Sequence, residues 1–109
     1  LQFPPHINTV MPQLSRGGDL ASTGHTCTSV IPVVATQFTV FANGISVARQ
    51  GDPVVPHTIK IGLDCIPHGA KINAGSSSVF AQGVPVARVG DSTDKGAMIQ
   101  GAPNVFAGG

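Results

Sequence analysis

The feature that most constrains this chain is an internal repeat. Residues 40–52 recur 39 positions later as residues 79–91, and nine of the thirteen positions are identical. A third copy of the end of this unit stands at residues 16–19, and a third copy of its beginning stands at residues 105–108. The chain is therefore predicted to be a permuted, imperfect threefold repeat in which each unit supplies one small supersecondary element.

Each repeat unit has the pattern of a β-hairpin. An apolar pair precedes a tight turn at Asn43-Gly44, and alternating apolar residues follow it. The second copy has Gln82-Gly83 at the same place. Asn-Gly favours a hairpin turn because both of its residues tolerate positive φ. Long helices are excluded, since the longest stretch without Gly or Pro is the eleven residues 33–43. We therefore expect an all-β fold of short hairpins.

The repeat unit ends in Arg-x-Gly-Asp. All three arginines of the chain and three of its five acidic residues lie in these units: Arg16, Asp19, Arg49, Asp52, Arg88 and Asp91. We expect one structural role repeated three times. Each Asp would accept hydrogen bonds from the backbone of the tight turn that follows its Gly, and each Arg would pair with that Asp or with a neighbouring carbonyl. The alternative is that these residues are exposed surface charges of little energetic worth.

Length and composition bound the remaining possibilities. A chain of 109 residues fits one small domain, which is expected to need a staple because its core is small. We assign residues 11–109 to this domain and set residues 1–10 apart, as a leader or a segment added for expression. No run of about 20 apolar residues predicts a membrane-spanning helix, and we expect a soluble protein. A net charge of +1 without Trp or Tyr argues against nucleic acid as a partner.

Three imidazoles and one thiol form a candidate metal site: His25, His57, Cys65 and His68. Zinc takes four nitrogen or sulfur ligands in a tetrahedron, and a Cys-x-x-His spacing spans two of those positions. His25 and His57 lie six and five residues after the Asp of their units, so the repeat would deliver them to equivalent places. We predict one structural zinc ion here. The alternative is that each His is simply exposed or hydrogen-bonded, and His6, in the unpatterned leader, is not predicted to be a ligand.

Cys27 is the rival ligand. It stands two residues after His25, on the same face if that segment is extended, and could replace His25 or His57. Cys27 could also form a disulfide with Cys65, since an even number of cysteines permits a bridge in an oxidising compartment. We favour a buried free thiol at Cys27.

The repeated pattern Val-Phe-x-x-Gly-x-x-x-Ala-Arg-x-Gly-Asp, followed by His, resembles the proline-alanine-alanine-arginine (PAAR) repeat family. A late Pro-Asn-Val-Phe segment at residues 103–106 belongs to the same resemblance, which covers residues 11–109. The signature itself appears in relaxed form, as Pro-Val-Ala-Arg at residues 85–88 and as Ile-Ser-Val-Ala-Arg at residues 45–49. The match therefore rests on the wider repeat.

The resemblance implies a particular fold and metal site. Members of the family form a small, sharp cone of β-hairpins with threefold pseudosymmetry, and they hold one zinc ion near the apex on three His and one Cys. Carried over to this sequence, those ligands fall on His25, His57, Cys65 and His68. Many relatives also have a Cys after the last Gly-Asp, where this chain has Asp94.

The resemblance also implies a function. The chain would be a structural tip protein that caps the trimeric spike of a contractile injection system, either a type VI secretion system or a phage-like tail, and sharpens it for membrane piercing. Its partner would be a spike trimer of valine-glycine repeat or phage tail-spike type, with one cap per trimer, docked effector proteins and transient contact with the target membrane. It would be made in the bacterial cytoplasm, assembled at the spike tip, and delivered outside the cell or into the target envelope.

Internal triplication suits such a cap for a physical reason. One chain that covers a threefold spike must present three nearly equivalent edges to three identical subunits. The base of the cone would then offer unpaired strand backbone to the strands of the spike.

The competing classes are a small zinc-binding interaction module and a metal-dependent hydrolase. Catalytic zinc keeps an open position for water and needs a nearby general base, whereas this chain contains no Glu and four protein ligands would close the site. It contains neither a His-Glu-x-x-His motif nor a Ser nucleophile elbow, and it lacks the paired Cys-x-x-Cys knuckles of a zinc ribbon. We predict that the protein is not an enzyme.

Overall fold

The computed structural model describes residues 11–109, and the expectations for residues 1–10 and His6 lie outside this range. Secondary structure in the described range consists of short strands, which confirms the all-β prediction. None of the described residues forms a helix long and apolar enough to cross a membrane. The strands are β1 (Leu20–Ser22), β2 (Val30–Pro32), β3 (Phe41–Ala42), β4 (Ile45–Ser46), β5 (His57–Ile61), β6 (Asp64–His68), β7 (Phe80–Ala81), β8 (Val84–Pro85), β9 (Ser92–Thr93) and β10 (Gly96–Ala97).

Consecutive strands pair as five antiparallel hairpins, β1 with β2 through to β9 with β10. The predicted turns are present in the two repeated hairpins. Asn43 and Gly44 join β3 to β4 with φ of 55° and 76°, and Gln82 and Gly83 join β7 to β8 with φ of 51° and 78°. Positive φ at both central residues matches the twist of the flanking strands, which is why these turns close so tightly.

The third repeated hairpin is built from two distant parts of the chain. Gln13 pairs with Phe106 in an isolated antiparallel bridge. The N–H of Ala107 donates to the carbonyl of Pro12 at 3.0 Å. Residues 12–14 and 105–107 thus pair antiparallel as the two halves of a third, permuted hairpin unit.

Three backbone hydrogen bonds join the repeat units in a closed ring. The N–H of Ser15 donates to the carbonyl of Ala87 at 2.9 Å, Ala87 donates to Ala48 at 2.9 Å, and Ala48 donates to Ser15 at 3.0 Å. Each of the three residues immediately precedes the Arg of its unit, and each is fully buried. Small side chains are required here because the backbones themselves meet and leave little room.

A second set of contacts connects the same units. The isolated bridges join Val33 to Val54, Ile72 to Thr93 and Met98 to Ala21. All six of these residues are buried.

Two clusters of buried apolar residues form the core. One contains the hairpin residues Leu14, Ala42, Val47, Ala81, Val86, Ala102 and Ala107. The other contains Ala48 and Ala87 of the ring together with Ala21, Ile31, Val33, Val54, Ile72 and Met98.

The Arg-x-Gly-Asp segments are tight turns. In each, the Asp N–H donates to the Arg carbonyl at 3.0 Å. The third residue is Gly18, Gly51 or Gly90, with φ of 87°, 91° and 95°. A type II turn requires positive φ at that position, and Gly adopts it without strain.

Each Asp carboxylate also accepts a hydrogen bond from the backbone, but the donor is the N–H of the Arg that opens the turn and not, as expected, the backbone that follows the Gly. These N–H···O distances are 2.7 Å at Arg16 and 2.8 Å at both Arg49 and Arg88. The three carboxylates are buried, so the alternative of exposed surface charges is wrong.

The Arg side chains follow two patterns. Arg16 and Arg88 form ion pairs with the Asp of their own turn, at 3.1 Å and 3.0 Å. Arg49 donates instead to the carbonyl of Ala81 at 3.3 Å and to the hydroxyl of Thr36 at 3.4 Å. Both patterns agree with the predicted pairing of each Arg with its Asp or with a neighbouring carbonyl.

Candidate metal centre

Four potential metal ligands converge from three separate connections. After each Arg-x-Gly-Asp turn the chain makes one connection before it returns to the core: residues 23–29, the β5–β6 hairpin, and the β9–β10 turn. The first carries His25, the second carries His57 and His68, and the third carries Asp94. One ligand atom from each of these four residues lies within 4.8 Å of all the others.

The three imidazoles surround the Asp94 carboxylate. The Nε2 atoms of His25 and His68 lie 3.0 Å and 3.2 Å from Oδ1, and Nε2 of His57 lies 2.8 Å from Oδ2. The His57 side chain is 0% exposed, Asp94 5%, His25 12% and His68 30%. The group is therefore sheltered from water on most sides and opens to solvent at His68.

The hairpin places His57 and His68 side by side. His57 begins β5 and His68 ends β6, and their Cα atoms are direct partners in the antiparallel register. Residues that are directly opposite in such a pair project from the same face of the hairpin. Their ring centroids are 5.1 Å apart and the rings meet edge to face.

The connection 23–29 is shaped by a buried threonine. The hydroxyl of Thr23 donates to the carbonyl of Thr28 and accepts the N–H of His25 at 3.0 Å. The side chain of Thr23 is completely buried. This local hydrogen bonding fixes the path of the connection and directs His25 toward the other ligands.

Asp94 is held by backbone contacts on both sides. It has φ of 55°, a left-handed conformation that Asp tolerates better than most residues. Its N–H donates to the carbonyl of Lys71 at 3.2 Å, and its own carbonyl accepts the side-chain amide of Asn73 at 3.0 Å.

The carboxyl group of Asp94 is ionised at neutral pH. Burial alone would raise the pKa of Asp94, but the hydrogen bonds from His25, His68 and His57 outweigh burial and lower this pKa below its ordinary value. An ionised carboxylate among three imidazoles is a set of donors that suits a divalent cation.

The orientation of His57 also fits a metal ligand. Its Nδ1 lies 3.2 Å from the carbonyl oxygen of Val55. When Nδ1 carries the proton and donates to that carbonyl, the Nε2 lone pair faces the Asp94 carboxylate, and a cation between these two acceptors relieves their repulsion. Tetrahedral zinc with bonds near 2.0–2.1 Å separates its ligand atoms by about 3.3 Å, which small side-chain shifts would reach from the spacings seen here. The group could therefore hold a metal ion.

Cys65 is not part of this group, which corrects the predicted ligand set. It lies in β6 three residues before His68, so the whole Cys-x-x-His spacing falls within one strand. Side chains alternate along a strand, so residues three apart project from opposite faces. The sulfur of Cys65 is instead bonded to Cys27.

The preference for a buried free thiol at Cys27 is also wrong. Cys27 and Cys65 form a disulfide between Cα atoms 6.0 Å apart, the alternative that the even cysteine count had left open. Cys27 is only half-buried, and no free cysteine remains among residues 11–109. Cys27 also does not replace His25 or His57 in the group.

Asp94 is the candidate ligand that the sequence did not predict. The signal was present, because Asp94 occupies the position after the last Gly-Asp at which many members of the resembled family have a Cys. A Cys and an Asp can both serve as anionic ligands. In this chain the carboxylate of Asp94 lies with the three imidazoles at that place.

Comparison with known proteins agrees with the repeat pattern. The family model described as PAAR motif matches residues 23–101, which include the three connections and two of the three Arg-x-Gly-Asp turns. No curated protein is similar enough to match the chain.

Proposed function

Because the chain belongs to the PAAR-motif family of structural spike-tip proteins, we propose that it caps the trimeric spike of a type VI secretion system or a phage-like tail. Residues 11–109 would act as a single domain in this role. The proposal is supported most directly by the closed ring of hydrogen bonds through Ser15, Ala48 and Ala87. Such a ring gives one chain three similar sides, which is what a cap on a threefold spike requires.

The ring and the bridges around it together support threefold pseudosymmetry. Backbone hydrogen bonds made by the unit of Arg49 recur in the units of Arg88 and Arg16, although the Arg side chains differ. For example, the N–H groups of the three turn glycines each donate at 2.8 Å to the carbonyl of a buried residue that follows the next connection, with Gly18 donating to Val33, Gly51 to Ile72 and Gly90 to Met98. The three connections differ in length, so the part of the fold that carries the candidate metal ligands departs most from this threefold symmetry.

Three exposed aromatic side chains are the candidate contacts to the spike. Phe41, Phe80 and Phe106 occupy the same position in the three repeated hairpins and are 53%, 54% and 43% exposed. Large apolar side chains in such numbers on a small surface mark interaction sites. Three identical pockets on a trimer would each receive one of them, and buried aromatic anchors of this kind carry much of the affinity at interfaces.

One structural zinc ion would hold the tip of the fold rigid. His25, His57, His68 and Asp94 would supply four ligands and leave no position for water, which suits a structural ion better than a catalytic one. The three connections have little apolar core between them, so a metal that ties them together would replace core packing. A stiff tip delivered outside the cell would then concentrate the force of contraction on the target membrane, and effectors would dock around it.

A binding experiment with matched variants tests the proposed docking surface. Purified spike trimer is titrated with the protein carrying F41S, F80S and F106S together, and affinity is measured by calorimetry. We expect loss of binding with retained zinc content. The control is Phe38→Ser, because Phe38 is 71% exposed but the equivalent positions hold Ser77 and Pro103, so it is not part of the repeated set. Unchanged affinity of the triple variant would exclude this surface.

A further inference from the structure

The Cys27–Cys65 disulfide fastens two elements that carry the candidate metal ligands. Cys27 lies in the connection 23–29, two residues after His25, and Cys65 lies in β6, three residues before His68. We propose that this cysteine pair is a redox latch on the metal centre: the dithiol form exchanges its metal quickly, and the disulfide form retains it. The inference rests on the proposed metal site and concerns its regulation.

The β5–β6 hairpin needs such a fastening. Its two strands pair only with each other among the described residues. Residues 60–67 are all exposed. An isolated two-stranded hairpin is at best marginally stable in water, so the position of this one depends on what holds its root.

Few hydrogen bonds join the hairpin to the connection 23–29, although the segments that flank the hairpin are bridged to the core through Val54 and Pro53. Thr58 in β5 meets Thr28 in the connection, with their hydroxyl oxygens 3.1 Å apart and a weak N–H contact at 3.4 Å. Among residues 11–109, the remaining polar contact between these two elements is the ligand cluster itself. Without the covalent bond, the connection and the hairpin would therefore separate more easily, and His25 would move away from His57 and His68.

The disulfide does not compete with the metal for ligands. Cys65 is opposite Lys60 in the register, on the face of the hairpin turned away from the His57–His68 pair. The covalent loop spans 38 residues and contains His57, while His25 and His68 lie just outside its two ends. Formation of the disulfide thus restricts the movement of three of the four ligand residues without using any of their ligand atoms.

The redox step is an ordinary thiol–disulfide exchange. The two thiols of Cys27 and Cys65 transfer two electrons and two protons to a small-molecule or protein disulfide, which leaves as two thiols while the new S–S bond forms. Cys65 is exposed, so an attacking thiolate or an oxidant reaches it from solvent. Thiols remain reduced in the cytoplasm and oxidise outside it, so the latch would close on export.

The test measures metal release in the two redox states. Wild-type protein is loaded with zinc, oxidised with glutathione disulfide or reduced with a phosphine, and challenged with a chromogenic chelator whose absorbance reports release. We expect the reduced protein to release zinc roughly tenfold faster, a change in the range caused by loss of outer supports at metal sites. The double variant C27S/C65S is expected to match the reduced rate under both conditions.

A matched control separates the latch from general loosening of the hairpin. Leu63→Ser changes the turn of the same hairpin at a side chain that is 96% exposed, and it should keep the wild-type difference between redox states. Equal release rates in reduced and oxidised wild type would overturn the latch but leave the metal site intact. Protein that binds no zinc in either state would overturn the metal site and the latch together. If the double variant does not fold, the comparison within the wild type still decides.

Discussion

Replacing Asp91 by Asn should lower the free energy of unfolding more than the substitution of an exposed acidic residue does. The Asp91 carboxylate accepts three bonds from Arg88: its backbone N–H at 2.8 Å, its Nε at 3.1 Å and its Nη2 at 3.0 Å. The hydrogen bond to Asp91 raises the pKa of Arg88 in spite of burial, and the attraction between the two charges adds to it. Asn keeps one acceptor oxygen but removes the charge that faces a half-buried guanidinium.

The magnitude follows from those contacts. Hydrogen bonds to charged groups each contribute about 1.5–3 kcal/mol, and the substitution weakens several at once without abolishing all of them, so we expect a net loss of about 1.5–3 kcal/mol. For a domain of this size that corresponds to a fall of roughly 6–24 °C in melting temperature.

The repeat provides an internal comparison. Asp19→Asn should cost about as much as Asp91→Asn, since Arg16 contacts Asp19 through the same three nitrogens. Asp52→Asn should cost less, about 1 kcal/mol, because in the described part of the chain that carboxylate is reached only by the N–H of Arg49 and the hydroxyl of Thr36.

The assay is thermal or urea unfolding followed by circular dichroism in excess zinc, since the chain has no Trp or Tyr for fluorescence. Asp64→Asn, at an exposed acid outside the repeat, serves as control and should change stability by less than about 0.5 kcal/mol. If all three repeat variants behave like this control, or if Asp52→Asn is the most damaging of them, the structural role assigned to these turns is wrong.

Three further predictions address the site, the ring and the permutation. Asp94→Ala should lose zinc and melt at lower temperature, whereas Cys65→Ser should still bind about one zinc per chain at equilibrium; metal analysis showing the reverse would restore the thiol as ligand. Ala87→Leu should cost about 1–3 kcal/mol or more by overpacking the ring, and a cost near zero in urea unfolding would contradict close packing there. A circular permutant of residues 11–109, joined from Gly109 to Met11 through a short linker and opened in the β3–β4 turn, should fold and bind zinc; an unfolded permutant would count against interchangeable hairpins.

The fold was predictable because the repeat and the turns act locally. Asn43-Gly44 and Gln82-Gly83 specify hairpins through their own backbone preferences. Because the same pattern occurs twice, each copy supported the hairpin predicted for the other. The hairpin formed by residues 12–14 and 105–107 could be inferred only from the permutation, since no local signal links segments so far apart.

The candidate metal centre was only partly predictable, because the residues that it brings together depend on how each connection is shaped. His57 and His68 come together through a hairpin register that the sequence did not specify. The same register turns Cys65 to the other face, so a spacing that suits a zinc knuckle in a turn misleads in a strand. Asp94 joins the group through a left-handed turn, and the sequence offered only its position in the repeat as a sign.

The stoichiometry of the complex with a spike trimer tests the central claim most directly. Native mass spectrometry of the purified complex measures how many copies of this chain bind one trimer. A ring of three similar units within one chain predicts one copy per three spike subunits. A complex with three copies per trimer would contradict the account, because each subunit would then bind its own chain and the internal repeat would not be matching the symmetry of the spike.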